Sequence, residues 1–234
     1  MAALTLARMA EGGLFDHVGG GFYRYSVDRY WQIPHFEKML YDNGPLLALY
    51  AQASIATGDQ LFTNAANATA DWMLADMRDA NGGFYATRDA DSEGHEGLYY
   101  LWEPDEVSEL LGDDYAVFAK RFGLDQASNF EGRWHLTVRA EVTDEEAEVI
   151  DRAKATLLAR RAGRVPPARD EKQLTSWNAL AIRGLAIAGR ALDRPDLVDA
   201  ADGAARFLRE TMLDDGRLFA SFKDGQARFS AYLD

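Results

Sequence analysis

The sequence predicts an all-α fold, a partial (α/α)6 toroid of helical hairpins with long glycine- and aromatic-rich loops on one face. Three observations predict it. Mostly apolar helical segments are each followed, across a very short turn, by an amphipathic one. One such pair matches another when the sequence is shifted by 135 positions. Long segments rich in glycine, aromatic and charged residues fall between the pairs, and in a stack of antiparallel hairpins such connections share one end.

In chain order, LTLARMAE before Gly12 has the pattern of the last turns of an amphipathic outer helix. Residues 46–56, LLALYAQASIA, are apolar nearly all round, and the TGD that follows ends this inner helix at Gly58. Pro45 belongs in its first turn, which makes Asp42 or Asn43 the N-cap. Residues 60–78 carry Leu61, Phe62, Ala65, Ala66, Thr69, Trp72, Met73 and Met77 at helical spacing, an amphipathic outer helix. Residues 104–123 and 143–163 read as a more divergent hairpin. Residues 174–192 and 196–212 repeat the inner and outer pattern, with only DRP between them. The shift places Asn43 on Asn178, Ala51 on Ala186, Met77 on Met212 and Phe84 on Phe219. The closing SAYLD looks like the start of another inner helix.

The expected organisation is one incomplete toroid domain over 1–234, with hairpins at about 43–78, 104–162 and 174–212. The 135-residue shift then holds two units of about 67 residues, and six such units need roughly 400.

Composition narrows the function. Hydrophobic residues make up 47% and charged residues 27%, a globular balance. The net charge of −13 repels phosphate backbones and anionic membrane surfaces, so no nucleic acid and no membrane is expected as a partner. The absence of cysteine removes disulfides, thiolate zinc sites, cysteine nucleophiles and a C-x-x-C redox pair. MAALTLARMAEGG is too short and too weakly apolar for a secretory signal, and no run is apolar enough to span a bilayer, so a cytoplasmic location is the expectation.

The first long segment, residues 12–45, holds Phe15, Phe22, Tyr23, Tyr25, Tyr30 and Trp31, either a packed loop core or a wall on which sugars stack. His17, Arg24, Asp28, His35 and Glu37 alternate with these aromatics and with glycines, a poor choice for a purely solvated connection. A histidine with a carboxylate is general acid/base equipment, and an arginine fixes an anionic or hydroxyl-rich substrate. Capping is the structural alternative for Asp42, Asn43 and Asn178. In the second segment Asp89, Asp91 and Glu93 resemble the opening of a calcium loop, but Tyr100 stands where a bidentate glutamate is required. The same carboxylates suit glycoside chemistry, or a polar turn bonding its own backbone. In the third segment Asp170, Lys172 and Trp177 precede an inner helix, with a surface ion pair as the plainer reading of the first two. No nucleophile elbow, P-loop or H-E-x-x-H occurs, and the four histidines lack zinc spacing.

GGLFDHVGGGFYRYSVDRYWQIPHFEKMLYDN, GGFYATRDADSEGHEGLYYLW and DEKQLTSWNALAIRGLA together resemble, in order and spacing, the C-terminal part of a thioredoxin-domain-containing family. The family is the one typified by spermatogenesis-associated protein 20. The resemblance implies a six-hairpin toroid similar to glycosidases and to N-acylglucosamine 2-epimerase, following a thioredoxin-like domain that this sequence does not contain.

The expected function is that of a carbohydrate-active or carbohydrate-binding domain of epimerase or glycosidase type, acting on a sugar or sugar-derived small molecule. His17, His35, Glu37, Asp42, Asp89 and Asp91 are the catalytic candidates. Arg24, Tyr41, Glu96, Asp170, Lys172, Trp177 and Asn178 are the substrate-binding candidates. No metal and no cofactor is expected. The alternative is a non-catalytic module binding a ligand or partner, and the absence of a cysteine ligand weakens a prenyltransferase-like reading. A partial toroid is also expected to self-associate through the apolar flank of an inner helix.

Overall fold

A computed structural model describes residues 1–232, and they form two compact units. One unit is Gly20–Phe22, Glu37–Asp89 and the chain from Arg169 onward; the other is Met1–Gly19, Tyr23–Phe36 and Ala90–Ala168.

The first of these units contains the matched hairpins. α2 (Leu40–Thr57) is the apolar inner helix, and α3 (Gln60–Trp72) returns along it. The turn between them forms because Gly58 takes the left-handed conformation (φ 70°) and Asp59 caps α3 by accepting the Leu61 N–H at 2.9 Å. A single π-helical turn, Met73–Met77, extends α3. The second hairpin is α7 (Thr175–Ala191) and α8 (Pro195–Thr211), with a proline opening the outer helix. Phe62, Ala65, Ala66, Thr69 and Trp72 form the buried stripe of α3, and Leu197, Ala200, Ala201, Ala204 and Phe207 that of α8.

α2 and α7 pack directly against one another. Glycine makes this possible: a Cβ at Gly44 would lie 2.9 Å from the Ala181 nitrogen, and one at Gly184 would overlap the Gly44 carbonyl oxygen. This stacks the two hairpins as neighbours in an α/α toroid, and the chain is all-α in class. The arithmetic of two units per 135 residues therefore does not hold. The intervening helices belong to the other unit, and the shift spans one hairpin step plus that excursion.

The helix starts also differ from expectation. α2 begins at Leu40, straight out of the strand β3 (Lys38–Met39), and α7 begins at Thr175, straight out of β8 (Gln173–Leu174). Met39 and Leu174 occupy the N-cap positions without side-chain capping bonds, so neither Asp42 nor Asn43 is a cap and Pro45 lies inside the helix. Strand pairing fixes these starts. β3 pairs with β4 (Thr87–Arg88), which pairs in turn with β7 (Arg169–Asp170). β8 pairs with β10 (Arg217–Lys223), which also pairs with β9 (Leu213–Asp214) and with β11 (Gln226–Ser230) across an Asp224–Gly225 turn at φ 51° and 73°. Ser230 ends β11 in the stretch expected to start an inner helix, Ala231 and Tyr232 carry no helix, and the last two residues of SAYLD lie outside the described residues.

In the other unit, α1 (Ala2–Glu11) ends at Gly12, as its pattern predicts. β1 (Tyr25–Ser26) and β2 (Pro34–His35) form a hairpin, as do β5 (Asp91–Ser92) and β6 (His95–Glu96). The D-x-D-x-E-G stretch is this second hairpin, turning at Glu93 and Gly94 (φ 52° and 80°), not a calcium loop. The expected middle hairpin is α4 (Pro104–Leu111), a 3₁₀ turn, α5 (Tyr115–Phe122) and α6 (Asp144–Arg161). Thr143 and Glu146 close a reciprocal capping box on α6. Val107, Phe118, Phe122, Ile150 and Leu157 make the core of these helices, with Trp102 and Leu136.

Candidate active site

The β1–β2 hairpin places His35 opposite Tyr25, and their rings stack at 5.0 Å with an interplanar angle of 23°. His35 lies 61 positions from Glu96, yet its Nδ1 is 2.7 Å from Glu96 Oε1. Glu96 reaches it because the tight Glu93–Gly94 turn reverses the chain, and the same oxygen accepts the Phe36 N–H at 3.4 Å. With Nδ1 held by a carboxylate, the neutral imidazole carries its lone pair on Nε2, the form a general base needs. Both side chains are partly open to solvent, at 28% and 41%.

Beneath this pair Phe36 is fully buried among Tyr23, Tyr100, Phe130 and His135. Gly97 follows Glu96 at φ 73°, and a Cβ there would lie 2.6 Å from the Phe36 ring. Gly97→Ala is therefore expected to cost about 2 kcal/mol or more and to displace Glu96; chemical denaturation measures the first effect and the His35 imidazole shifts in NMR report the second.

The other sequence candidates are placed differently. His17 is buried at 7% exposure, against Phe15 and Phe122, with its Nε2 3.0 Å from the Gly12 carbonyl. His135 makes the matching contact to the Gly13 carbonyl at 2.8 Å. Burial, followed by the nearby Lys154 charge, pushes the His17 pKa down to about 3. His17 is thus a neutral packing residue. It also gives a pH prediction. The unfolded state takes up a proton below about 6.5 that the folded state refuses until about 3. The stability associated with His17 is then complete above pH 6.5 and declines as pH falls toward 3, by up to about 1.4 kcal/mol per pH unit. Urea denaturation across this window should show a steeper acid loss in the parent protein than in His17→Gln.

Arg24, Asp89 and Asp91 are exposed, and Asp91 faces Glu96 across the hairpin ladder. Glu37 is half-buried just before β3. Asp42 lies in the first turn of α2, where a carboxylate complements the helix dipole. Tyr41 and Trp177, in the first turns of α2 and α7, contact one another at 4.8 Å between ring centroids. Asp170 and Lys172 form a partly exposed ion pair at 3.1 Å, the plainer of the two readings.

Asn178 and its repeat partner Asn43 are fully buried, and they make the same three bonds. Asn43 Oδ1 accepts the Phe22 N–H at 2.7 Å, while its Nδ2 donates to the Phe22 and Met39 carbonyls. Asn178 does this for Phe84 and Leu174, with Oδ1 again at 2.7 Å. Each asparagine pins an incoming glycine-rich loop to the start of an inner helix, a structural clamp in place of the substrate contact expected of Asn178.

Other working residues went unread in the sequence. Lys38 is buried at 1% and donates to the Gly20 carbonyl at 2.7 Å, beside the Trp72 ring. Asp16 and Arg161 form a buried bidentate pair at 2.9 Å. Neither had a local signal, because their partners come from distant positions.

Fold and site together define an all-α protein of the helical-hairpin toroid class that carries an imidazole–carboxylate pair on paired loops. No family model matches the sequence. The chain is a homologue of the proteins named spermatogenesis-associated protein 20. It is 35% identical to the Homo sapiens protein over an alignment of 263 residues, covering 96% of this chain and 34% of that one. The Rattus norvegicus protein is 38% identical over 256 residues, covering 93% and 32%. An uncharacterized protein of Caenorhabditis elegans is 36% identical over 254 residues. The chain spans about a third of the length of the curated relatives it matches. Among solved structures, a D-mannose isomerase aligns at a TM-score of 0.33 and 15% identity, covering 95% of this chain and 55% of that one. The cellobiose 2-epimerase from Spirochaeta thermophila DSM 6192 aligns at 0.29 and 17%, covering 97% and 59%.

Proposed function

We propose that this chain is a sugar isomerase or epimerase domain in which His35 is the general base and Glu96 its positioning residue. The observation that carries this reading is the 2.7 Å contact between His35 Nδ1 and Glu96 Oε1. A base of this kind removes the proton from the carbon next to the carbonyl of an open-chain sugar. The electron pair left behind forms an enediolate, the hydroxyl proton passes from O2 to O1, and the imidazolium returns its proton to the neighbouring carbon, so an aldose–ketose exchange balances with one base. Tyr25, 49% exposed and stacked on His35, supplies an aromatic face of the sort sugars pack against. Hydrolysis would instead call on Asp91 and Glu96, but Glu96 is already committed to the imidazole.

The test is to incubate a panel of hexoses and disaccharides with the protein and follow interconversion by NMR. Turnover that falls about 100-fold or more in His35→Gln supports the base. Turnover that survives the substitution rules it out. Saturable sugar binding without any turnover would support the second reading, a non-catalytic module, which the structural commitments of Asn43, Asn178, Asp170 and Lys172 favour.

Self-association belongs to the same proposal. Leu49, Ile55 and Leu180 expose apolar surface on the inner helices, at 49%, 68% and 36%. Sedimentation velocity should show a concentration-dependent species heavier than the monomer.

A further inference from the structure

The tip of the β1–β2 hairpin is built as a rigid platform. The Asp28 carboxylate accepts backbone N–H groups from Tyr30 at 2.7 Å, Gln32 at 3.0 Å and Ile33 at 2.7 Å. Partial burial works against its charge, but these three donors hold its carboxyl below the usual carboxylate range. Around this anchor Trp31 adopts a left-handed backbone (φ 59°), and its carbonyl accepts the Gly13 N–H at 2.7 Å. Tyr30 is left 66% exposed, with the Arg29 guanidinium 4.6 Å above its ring. A loop that holds Trp31 in a left-handed backbone while leaving Arg29 and Tyr30 exposed is not what packing requires.

A cavity of about 390 Å³ opens beside this loop, between it and the end of α1. Arg8, Arg29, Tyr30, Trp31 and Gln32 line it, and its volume is in the range of small-molecule sites. Two guanidinium groups face a single carboxylate, that of Glu11, whose contact with Arg8 is long at 3.8 Å. In a chain of net charge −13 this is a local reversal of sign. The wall also includes Thr137, buried at 1%, whose hydroxyl has no hydrogen-bond partner among the described residues.

We propose that this cavity binds an anionic monosaccharide, a hexose bearing a phosphate or a carboxylate. The aromatic rings take the apolar C–H face of the sugar, the guanidinium groups of Arg8 and Arg29 take the anion, and the Gln32 amide takes a hydroxyl. The site is separate from the His35–Glu96 pair and does not depend on the reading given to that pair.

Titration calorimetry of the whole chain against glucuronate, glucose phosphate, glucose and inorganic phosphate tests it. At least one of the two anionic sugars should bind in the millimolar range or tighter, weakening as salt is raised, and whichever binds better identifies the anion. Glucose and inorganic phosphate should each bind at least about tenfold more weakly. Trp31→Gly removes the ring at a backbone conformation that glycine prefers, so the variant should unfold at the parent temperature or above while binding falls at least about tenfold. Arg29→Gln should weaken the anionic sugars and leave glucose unchanged. The proposal is overturned if neither anionic sugar binds, if inorganic phosphate binds as tightly as glucose phosphate, or if Trp31→Gly binds like the parent.

Discussion

Gly184→Ala is expected to be among the most damaging single methyl additions in this chain, because it drives a wedge between the two inner helices. The new Cβ would overlap the Gly44 carbonyl oxygen, and the nearest atoms are all Gly44 backbone, which cannot rotate aside as a side chain would. α2 and α7 would have to separate, loosening the Leu47, Ala48, Ala181 and Leu185 packing that is almost wholly removed from water. Overpacking of a rigid core costs typically 1–3 kcal/mol, and backbone against backbone places this near or above about 3 kcal/mol. Helix propensity alone would make alanine about 1 kcal/mol better than glycine here, so the sign of the measured change decides between local and tertiary control. Urea denaturation of parent and variant provides it. A neutral or stabilising result would mean that the α2–α7 crossing is not as close as described.

Arg161→Met is expected to cost about 3–5 kcal/mol through the charge it leaves behind. Asp16 and Arg161 are 3% and 4% exposed and meet through two contacts of 2.9 Å, with Asp16 Oδ1 also accepting the Val18 and Gly19 N–H groups. The guanidinium also lies 5.3 Å and 5.4 Å from the Tyr99 and Tyr100 rings. Burial opposes the Arg161 charge, but Asp16 outweighs it and raises the arginine pKa. Removing the arginine strands a carboxylate at the end of α6. The double variant Asp16→Asn/Arg161→Met should recover a good part of the loss, because no unpaired charge then remains buried. Additive losses in the cycle would instead mean that packing, not pairing, sets the cost.

Periodicity made the two hairpins legible. α2, α3, α7 and α8 lie within a few residues of the segments read from apolar spacing, and Gly58 ends α2 as its position suggests. What spacing does not encode is which helices touch. The 135-residue shift was divisible into two equal units on paper, but Gly44 and Gly184 let α2 and α7 meet directly. The repeated asparagine was visible as a repeat and its function was not. Two-residue strands too short to show alternation start each inner helix early and move Asn43 and Asn178 inside it. The β10–β11 hairpin carries a signal in its sequence, Asp-Gly between alternating residues. Nothing in the sequence separates His17 from His35. Phe122, more than a hundred positions away, helps bury the first, and a hairpin 61 positions away supplies the carboxylate of the second.

The direct test of the His35–Glu96 pair is deuterium incorporation from heavy water into the carbon next to the carbonyl of a sugar that the protein interconverts. The parent protein should wash deuterium into product, His35→Gln should abolish it, and Glu96→Gln should slow it about tenfold or more without loss of sugar binding. Deuterium incorporation at the parent rate in His35→Gln would contradict the assignment of His35 as the base, and with it the proposed function.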